Sequence, residues 1–382
     1  MIKHLRKGLV GIALVAVAAV PVLFSGSTAA QAAGESNINI KIGAGETGYS
    51  VNAFLPDSLT VKTGDTVTWN FAWLEPHMVA LINGAVDPNG PEPAVDPSPF
   101  DFDGVKPFVY SGVIFGPNQK YSIKFEKAGD YHVECFIHPG MVSSVKVVDS
   151  GTTDTQATAD AKGNSQYAAA IGALKAVATP LKNKPAAVTP RADGTSLFDV
   201  QIDSGDPSVE RDDIQQFFPA AVNVKVGDTI RWTNTSTTPH TVTFNLPADT
   251  PPDTDPFSVP PSVPAATFDG TGFWHSGILG VNPGDPTSPT TFQMTFSKVG
   301  TFQYICVLHA PQGMLGNVTV AAQTTPPPTT TVVATPTKAP GAPNTGSGTE
   351  QHDQDAGAWL IAAAVAMAAA AGWMAIFASR RA

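Results

Sequence analysis

Over two long stretches of the chain apolar and polar residues alternate with period two, and the same turn breaks the alternation in each. Leu59 and Val61, then Val67 and Trp69, flank Gly64-Asp65; Val222 and Val224, then Ile230 and Trp232, flank Gly227-Asp228. Alternation interrupted by a Gly-containing turn predicts strand–turn–strand. The likeness continues downstream. Pro76-His77 matches Pro239-His240, and Tyr110-Ser111-Gly112-Val113 matches His275-Ser276-Gly277-Ile278. Each block closes on a further alternating strand, Gly129–Cys135 and Gly300–Cys306. The chain is therefore an internal repeat. Several short strands per block, with no strong helical pattern in either, predict an all-β fold of two antiparallel β-sandwich domains, residues 37–149 and 195–321.

Between the blocks, residues 150–194 open as a polar, small-residue linker. Within it Ser165–Leu181 is alanine-rich, with Tyr167, Ile171, Leu174 and Val177 at helix-like spacing. Two readings stay open there: a short helix docking between the domains, or a floppy connector. Each block also carries a Pro/Asp-rich insert, Val86–Phe102 and Pro247–Phe268, either a solvated loop expansion or a shaped docking surface.

The ends differ from the blocks. Residues 1–32 read as a secretory signal, with Lys3, Arg6 and Lys7 before an apolar run and Ala30-Gln31-Ala32 as a small-x-small cleavage site; an uncleaved anchor is the alternative. Residues 322–355 form a Thr/Pro-rich spacer, extended and polyproline-like. Residues 356–378 are apolar for a span long enough to cross a bilayer as a helix, bracketed by Trp359 and Trp373, and 379–382 form a basic tail with Arg380-Arg381. Positive-inside bias puts that tail in the cytoplasm and the domains outside. Ala342-Pro343-Asn344-Thr345-Gly346 resembles the sortase sorting signal of Gram-positive-type surface proteins, with Ala342 where leucine is usual. Attachment is thus to the cell membrane, or to the cell wall if a sortase cleaves the tail.

Composition narrows the function classes. The 382 residues carry a formal charge of −10, and 34 Gly with 34 Pro suit strands, turns and connectors better than helical bundles. Without the basic ends, residues 33–349 hold 17 Lys and Arg against 29 Asp and Glu. Such a surface argues against nucleic acid and favours a basic partner. Only two cysteines occur, Cys135 and Cys306. Each sits in its own copy of one motif, so a disulfide between them is disfavoured.

Those motifs are Cys135-Phe136-Ile137-His138-Pro139-Gly140-Met141 and Cys306-Val307-Leu308-His309-Ala310-Pro311-Gln312-Gly313-Met314, each with a histidine far upstream, His77 and His240. A thiolate and two imidazoles bind copper in a trigonal plane while a weakly held thioether tunes the potential. Zinc could use a similar set, but methionine in fourth place favours copper. His132 lies on the opposite strand face from Cys135, and His275 replaces Tyr110 in the repeat, so neither is counted as a ligand.

In these motifs the sequence resembles the cupredoxins, plastocyanin and amicyanin among them. The second Cys-x2-His-x4-Met loop is similar to plastocyanin's, and the shorter Cys-x2-His-x2-Met loop to amicyanin's. The resemblance implies Greek-key sandwiches with one type 1 (blue) copper per domain, held by His77, Cys135, His138 and Met141 and by His240, Cys306, His309 and Met314. It also implies an electron carrier serving redox partner proteins, basic ones or membrane-bound respiratory components. Electrons would leave by the His138 or His309 imidazole edge, near the surface amid apolar residues. One departure stands out. The residue after the upstream histidine is usually Asn in that family, whereas here it is Met78 or Thr241; a hydroxyl can partly replace the amide and a thioether cannot. Two rivals remain: a surface copper binder or chaperone, and a two-domain copper oxidoreductase such as a nitrite reductase. The latter needs extra histidines, and only His132 and His275 are unassigned.

Overall fold

Asp65 and Asp228 explain why both repeats turn at Gly-Asp. Gly64 and Gly227 take the left-handed conformation at φ 93° and 94°, which glycine adopts without a Cβ clash. The aspartate that follows then closes the turn. Asp65 accepts N–H bonds from Lys62 and Ser36, both 2.7 Å; Asp228 accepts from Lys225 at 2.8 Å and Ser196 at 2.7 Å. Each carboxylate so ties its turn to the first strand of its own domain.

The computed structural model describes residues 35–85, 93–209, 211–247, 261–262, 267–282 and 285–323. The expected signal, spacer, sortase-like motif, membrane helix and basic tail lie outside these residues, as does much of both inserts. Among the described residues no helix is long and apolar enough to cross a membrane.

The first domain pairs two five-stranded sheets. One runs, edge to edge, Tyr49–Leu55, Asn37–Glu46, Thr66–Phe71, Lys120–Phe125 and Phe100–Phe102; the other runs Ser58–Lys62, Val142–Val148, Gly129–Glu134, Ala80–Ile82 and Phe108–Tyr110. The second domain repeats the arrangement, with Ser196–Ile202, Thr229–Asn234 and Thr291–Phe296 central in one sheet and Leu315–Ala321 beside Gly300–Ile305 in the other. Its first sheet gains an edge strand, Ala187–Pro190, from within the stretch read as linker. Both sheets mix parallel and antiparallel pairs: the first strand pairs parallel with the strand after the Gly-Asp turn in each domain. Trp69 and Trp232, at the same repeat position, are fully buried in the two separate cores.

The connector is a helix, and a longer one than its apolar spacing predicts: Gln156–Lys182, 27 residues. Thr155 caps it, with Thr158 completing a capping box. Its first two turns escaped the periodicity because they dock through small and polar groups. Gln156 trades hydrogen bonds with the backbone of Asn39, and a Cβ on Gly163 would meet the Leu55 carbonyl carbon at 2.8 Å. Farther along, Ile171, Leu174 and Ala178 join Tyr49 and Val51 of the first domain and Val209, Ile214 and Phe218 of the second in a third apolar cluster. The described residues from Ser36 onward belong to one compact unit. Leu174→Ala empties the centre of that third cluster; we expect it to cost about 2–5 kcal/mol, read as a lower denaturant midpoint.

Candidate metal centres

In each domain the last two strands of one sheet frame a short loop that begins at cysteine and ends at methionine. Cys135 N–H donates to Met141 O at 3.0 Å and Met141 N–H to His138 O at 3.0 Å. The longer loop closes alike: Cys306 N–H to Met314 O at 3.1 Å, Met314 N–H to His309 O at 3.0 Å. The upstream histidine arrives from a two-residue pairing at the same end of the sandwich, His77 opposite Ile114 and His240 opposite Leu279. Cys135, Met141, Cys306, Met314, His77 and His240 are all buried.

Side chains that are remote in sequence converge. Cys135 Sγ lies 4.0 Å from His77 Nδ1 and 3.8 Å from His138 Nδ1. Cys306 Sγ lies 3.9 Å from His240 Nδ1 and 3.5 Å from His309 Nδ1, and the two Nδ1 atoms are 3.0 Å apart. Both cysteines are free thiols. Two imidazole nitrogens aimed at one sulfur, with a methionine closing the same loop, are a soft, nitrogen-and-sulfur donor set suited to copper. A structural zinc site is commonly closed by a fourth Cys or His instead.

The chain matches, over residues 39–148 and 206–321, the family of copper binding proteins described as the plastocyanin/azurin family. It belongs to that family. Chloroplastic plastocyanin of Tetradesmus obliquus is 30% identical over 110 residues, which cover 29% of this chain and 65% of that protein. A Cu(I)-form amicyanin mutant is 25% identical, over 29% of this chain and 82% of that one, with a TM-score of 0.21. A mutant fern plastocyanin is 21% identical over 32% and 99%, TM-score 0.21. The repeat is thus a tandem pair of cupredoxin domains.

As cupredoxins the two domains differ around their thiols. Thr241 does supply what the expected amide would. Its hydroxyl accepts from Val307 N–H at 2.8 Å, whereas its own N–H bond to Cys306 Sγ, 3.3 Å, has a counterpart in the Met78 amide at Cys135. That hydroxyl stands 3.2 Å from Thr243 Oγ1, itself 2.8 Å from His275 Nδ1, so His275 props the ligand loop through two threonines. The first domain has Met78, Ala80 and Tyr110 at these positions, and no such polar chain. His132 is a surface residue beside Glu134.

The larger difference comes from outside the repeats' own motifs. Ile42 and Ile202 occupy one register position, so Gly43 corresponds to Asp203; both are left-handed, φ 68° and 56°. A methyl on Gly43 would overlap the His77 ring. Asp203 Oδ2 instead reaches to 3.9 Å from His240 Nε2. Asp213 Oδ1 is 3.4 Å from the same nitrogen and its Oδ2 is 3.7 Å from His309 Nε2. Glu75 of the first domain brings Oε1 to 3.6 Å from His309 Nε2 and accepts from Gln215 and Gln312. Contrary to the surface edge expected for it, His309 is only 4% exposed. The first domain's Thr47-Gly48 hairpin covers its loop: Gly48 N–H donates to Gln312 O at 2.8 Å, and a Cβ on Gly313 would meet Thr47 at 2.6 Å. His138 stays partly exposed. Sequence reasoning missed Glu75, Asp203 and Asp213. The signals were there in Glu75 directly before Pro76-His77 and in an aspartate facing a repeat glycine.

Electrostatics follow geometry. Burial pushes the Cys135 thiol up to about 11, against the pull of the Met78, Ile137 and His138 amides. Burial acts on Cys306 too, but His309 and His240 override it and hold that thiol well below its usual range. Burial, then His138, lowers His77. Burial opposes protonation of His309, yet Glu75 and Cys306 raise it; Asp213 and Asp203 likewise raise His240 against burial. Without metal at neutral pH, we therefore expect one thiolate by ultraviolet absorbance, lost in Cys306→Ser and kept in Cys135→Ser. Gly43→Ala should displace His77 and alter the spectrum of the copper-loaded first centre alone.

Proposed function

We propose that this chain is an extracytoplasmic electron-transfer protein with one type 1 copper in each cupredoxin domain. His77, Cys135, His138 and Met141 would hold the first, and His240, Cys306, His309 and Met314 the second. The observation that carries the reading is the twofold convergence of a free buried thiol, two imidazole Nδ1 atoms and a loop-closing methionine. Copper so held supplies one-electron chemistry; the protein's part is to fix the donors. Buried loops closed by backbone hydrogen bonds on rigid strands leave the donors little room to move between redox states, which keeps reorganisation small. The relatives bear the names plastocyanin and amicyanin, and electron carriage is brought from them to this chain.

Catalysis is disfavoured by the spare histidines. Among the described residues, His132 and His275 join no ligand group, His132 being at the surface and His275 engaged with Thr243. Partial exposure of His138 supports an electron exit there toward a redox partner protein. A partner with a basic face suits the acidic surface. The domains, spanning about 37–149 and 195–321, would stand outside the cell on the Thr/Pro-rich spacer, anchored by the apolar segment 356–378 to the membrane or through the sortase-like motif to the wall.

The test is optical and EPR spectroscopy of the copper-loaded protein with Cys135→Ser and Cys306→Ser. Two intense thiolate-to-copper bands are expected, one lost in each variant, with a reversible potential for each. Copper that exchanges readily with chelators and shows no such band would instead mark a surface copper binder.

A further inference from the structure

The two centres share a donor set and differ in what stands behind the imidazoles. In the second, both Nε2 atoms face carboxylates: His240 meets Asp213 and Asp203, and His309 meets Glu75 and Asp213. In the first, the His77 ring packs on the Gly43 backbone; its Nε2, like that of His240, makes no hydrogen bond among the described residues. No carboxylate among those residues lies within ion-pair distance of His77 or His138, although Glu75 acts on both, and Asp213 on His138, from farther away.

Asp213 is the sharper oddity. It is 2% exposed and neither oxygen accepts a hydrogen bond within the described residues, an arrangement that is costly unless positive charge stands opposite. Its backbone is clamped in a two-way bridge with Ser50, 2.9 Å each way, so the side chain is held facing the imidazoles. Charge counting supplies the missing counterpart. Cu(II) with one thiolate and two neutral imidazoles carries a net positive charge; Cu(I) with the same ligands carries none. Carboxylates behind the imidazoles also make those ligands more basic. Both effects favour the oxidised ion over the reduced one, and both are strongest at the second centre, where Asp213 and Glu75 stand 3.4–3.7 Å from the imidazoles; on His77 and His138 Glu75 acts only from farther off.

Resting on the reading of two type 1 coppers, we propose that Asp213 and Glu75 are positioning residues that act through His240 and His309 to hold the second centre in its Cu(II) state, making it the lower-potential centre of the two. Glu75 belongs to the first domain, so the second centre is poised only when the domains are docked.

The experiment is a spectroelectrochemical titration, at fixed pH and salt, of the full copper-loaded chain and of Asp213→Asn and Glu75→Gln, with the two centres assigned through Cys135→Ser and Cys306→Ser backgrounds. The wild type should show the second centre below the first. Asp213→Asn should move the second centre's Cu(I)/Cu(II) partition at least tenfold toward Cu(I), which is 59 mV for one electron, and the first centre in the same direction by less, since Asp213 acts on His138 only from farther away. Glu75→Gln should shift the second centre in the same direction and decides the matter if Asp213→Asn fails to fold. Chelator competition supplies the readout that mere loosening would not give: Cu(II) affinity of the second centre falls while Cu(I) affinity holds, and Asp213→Glu restores it. Intact blue spectra with unmoved potentials in both variants overturn the proposal, as does an equal loss of both affinities. A third bound copper that disappears with Asp213→Asn also overturns it, by making the carboxylates ligands. Absence of any blue band in the wild type instead sinks the two-copper reading itself.

Discussion

The antiparallel bridge between Ser50 and Asp213 is the contact on which the joining of the two halves depends. It is only one residue pair wide, yet it sets three things at once. It brings the first domain's Thr47-Gly48 hairpin onto the second domain's ligand loop, where Gly48 meets Gln312. It fixes the backbone of a carboxylate that accepts no hydrogen bond among the described residues. It also places Asn52 so that its N–H donates to Asp212 at 2.9 Å and its amide to the Arg211 carbonyl at 3.1 Å. The long helix reinforces the same junction from the apolar side, since Leu174 and Ala178 fill the cluster between Tyr49, Val51 and Phe218.

Repetition makes the divergence of the two halves readable. The parts that build the sandwich are copied, down to the aspartate that closes each Gly-Asp turn and the tryptophan beneath it. The parts that surround the thiol are not. Thr241, Thr243 and His275 form a polar file behind the second ligand loop, where the first domain stacks Met78, Ala80 and Tyr110. Gly43 gives the first domain a bare backbone against an imidazole, and Asp203 gives the second a charge. A buried polar file must be completely satisfied to be stable and then rigidifies its surroundings; an apolar one needs only volume. One fold thus carries two environments for one donor set.

Much of this was legible in the sequence, for a physical reason. Strand alternation, turn chemistry and a loop that gathers three donors within ten residues are local, and the repeat printed each of them twice. His77, Cys135 and His138 converge in one group and His240, Cys306 and His309 in another, with Met141 and Met314 at the ends of the two loops. What the sequence hid was non-local. Glu75 and Asp213 lie 138 positions apart and acquire meaning only where the domains meet. The helix was visible only from Ser165 because its opening turns dock through Gly163 and Gln156, which leave no apolar stripe. Covering of His309 was likewise invisible, because it depends on a hairpin from the other copy.

That covering has a consequence for how the molecule is regarded. A cupredoxin that stands alone can turn its loop histidine outward to whatever approaches. Here the second copy has surrendered that face to its sibling, which leaves His138 as the one partly open imidazole of the two described clusters. The second domain cut free would regain an open doorway and lose the Glu75 carboxylate from behind it, becoming a different object from the one it is in the chain. The tandem is therefore not two beads on a string that can be studied one at a time: the smallest unit that keeps both interiors as they are is the pair.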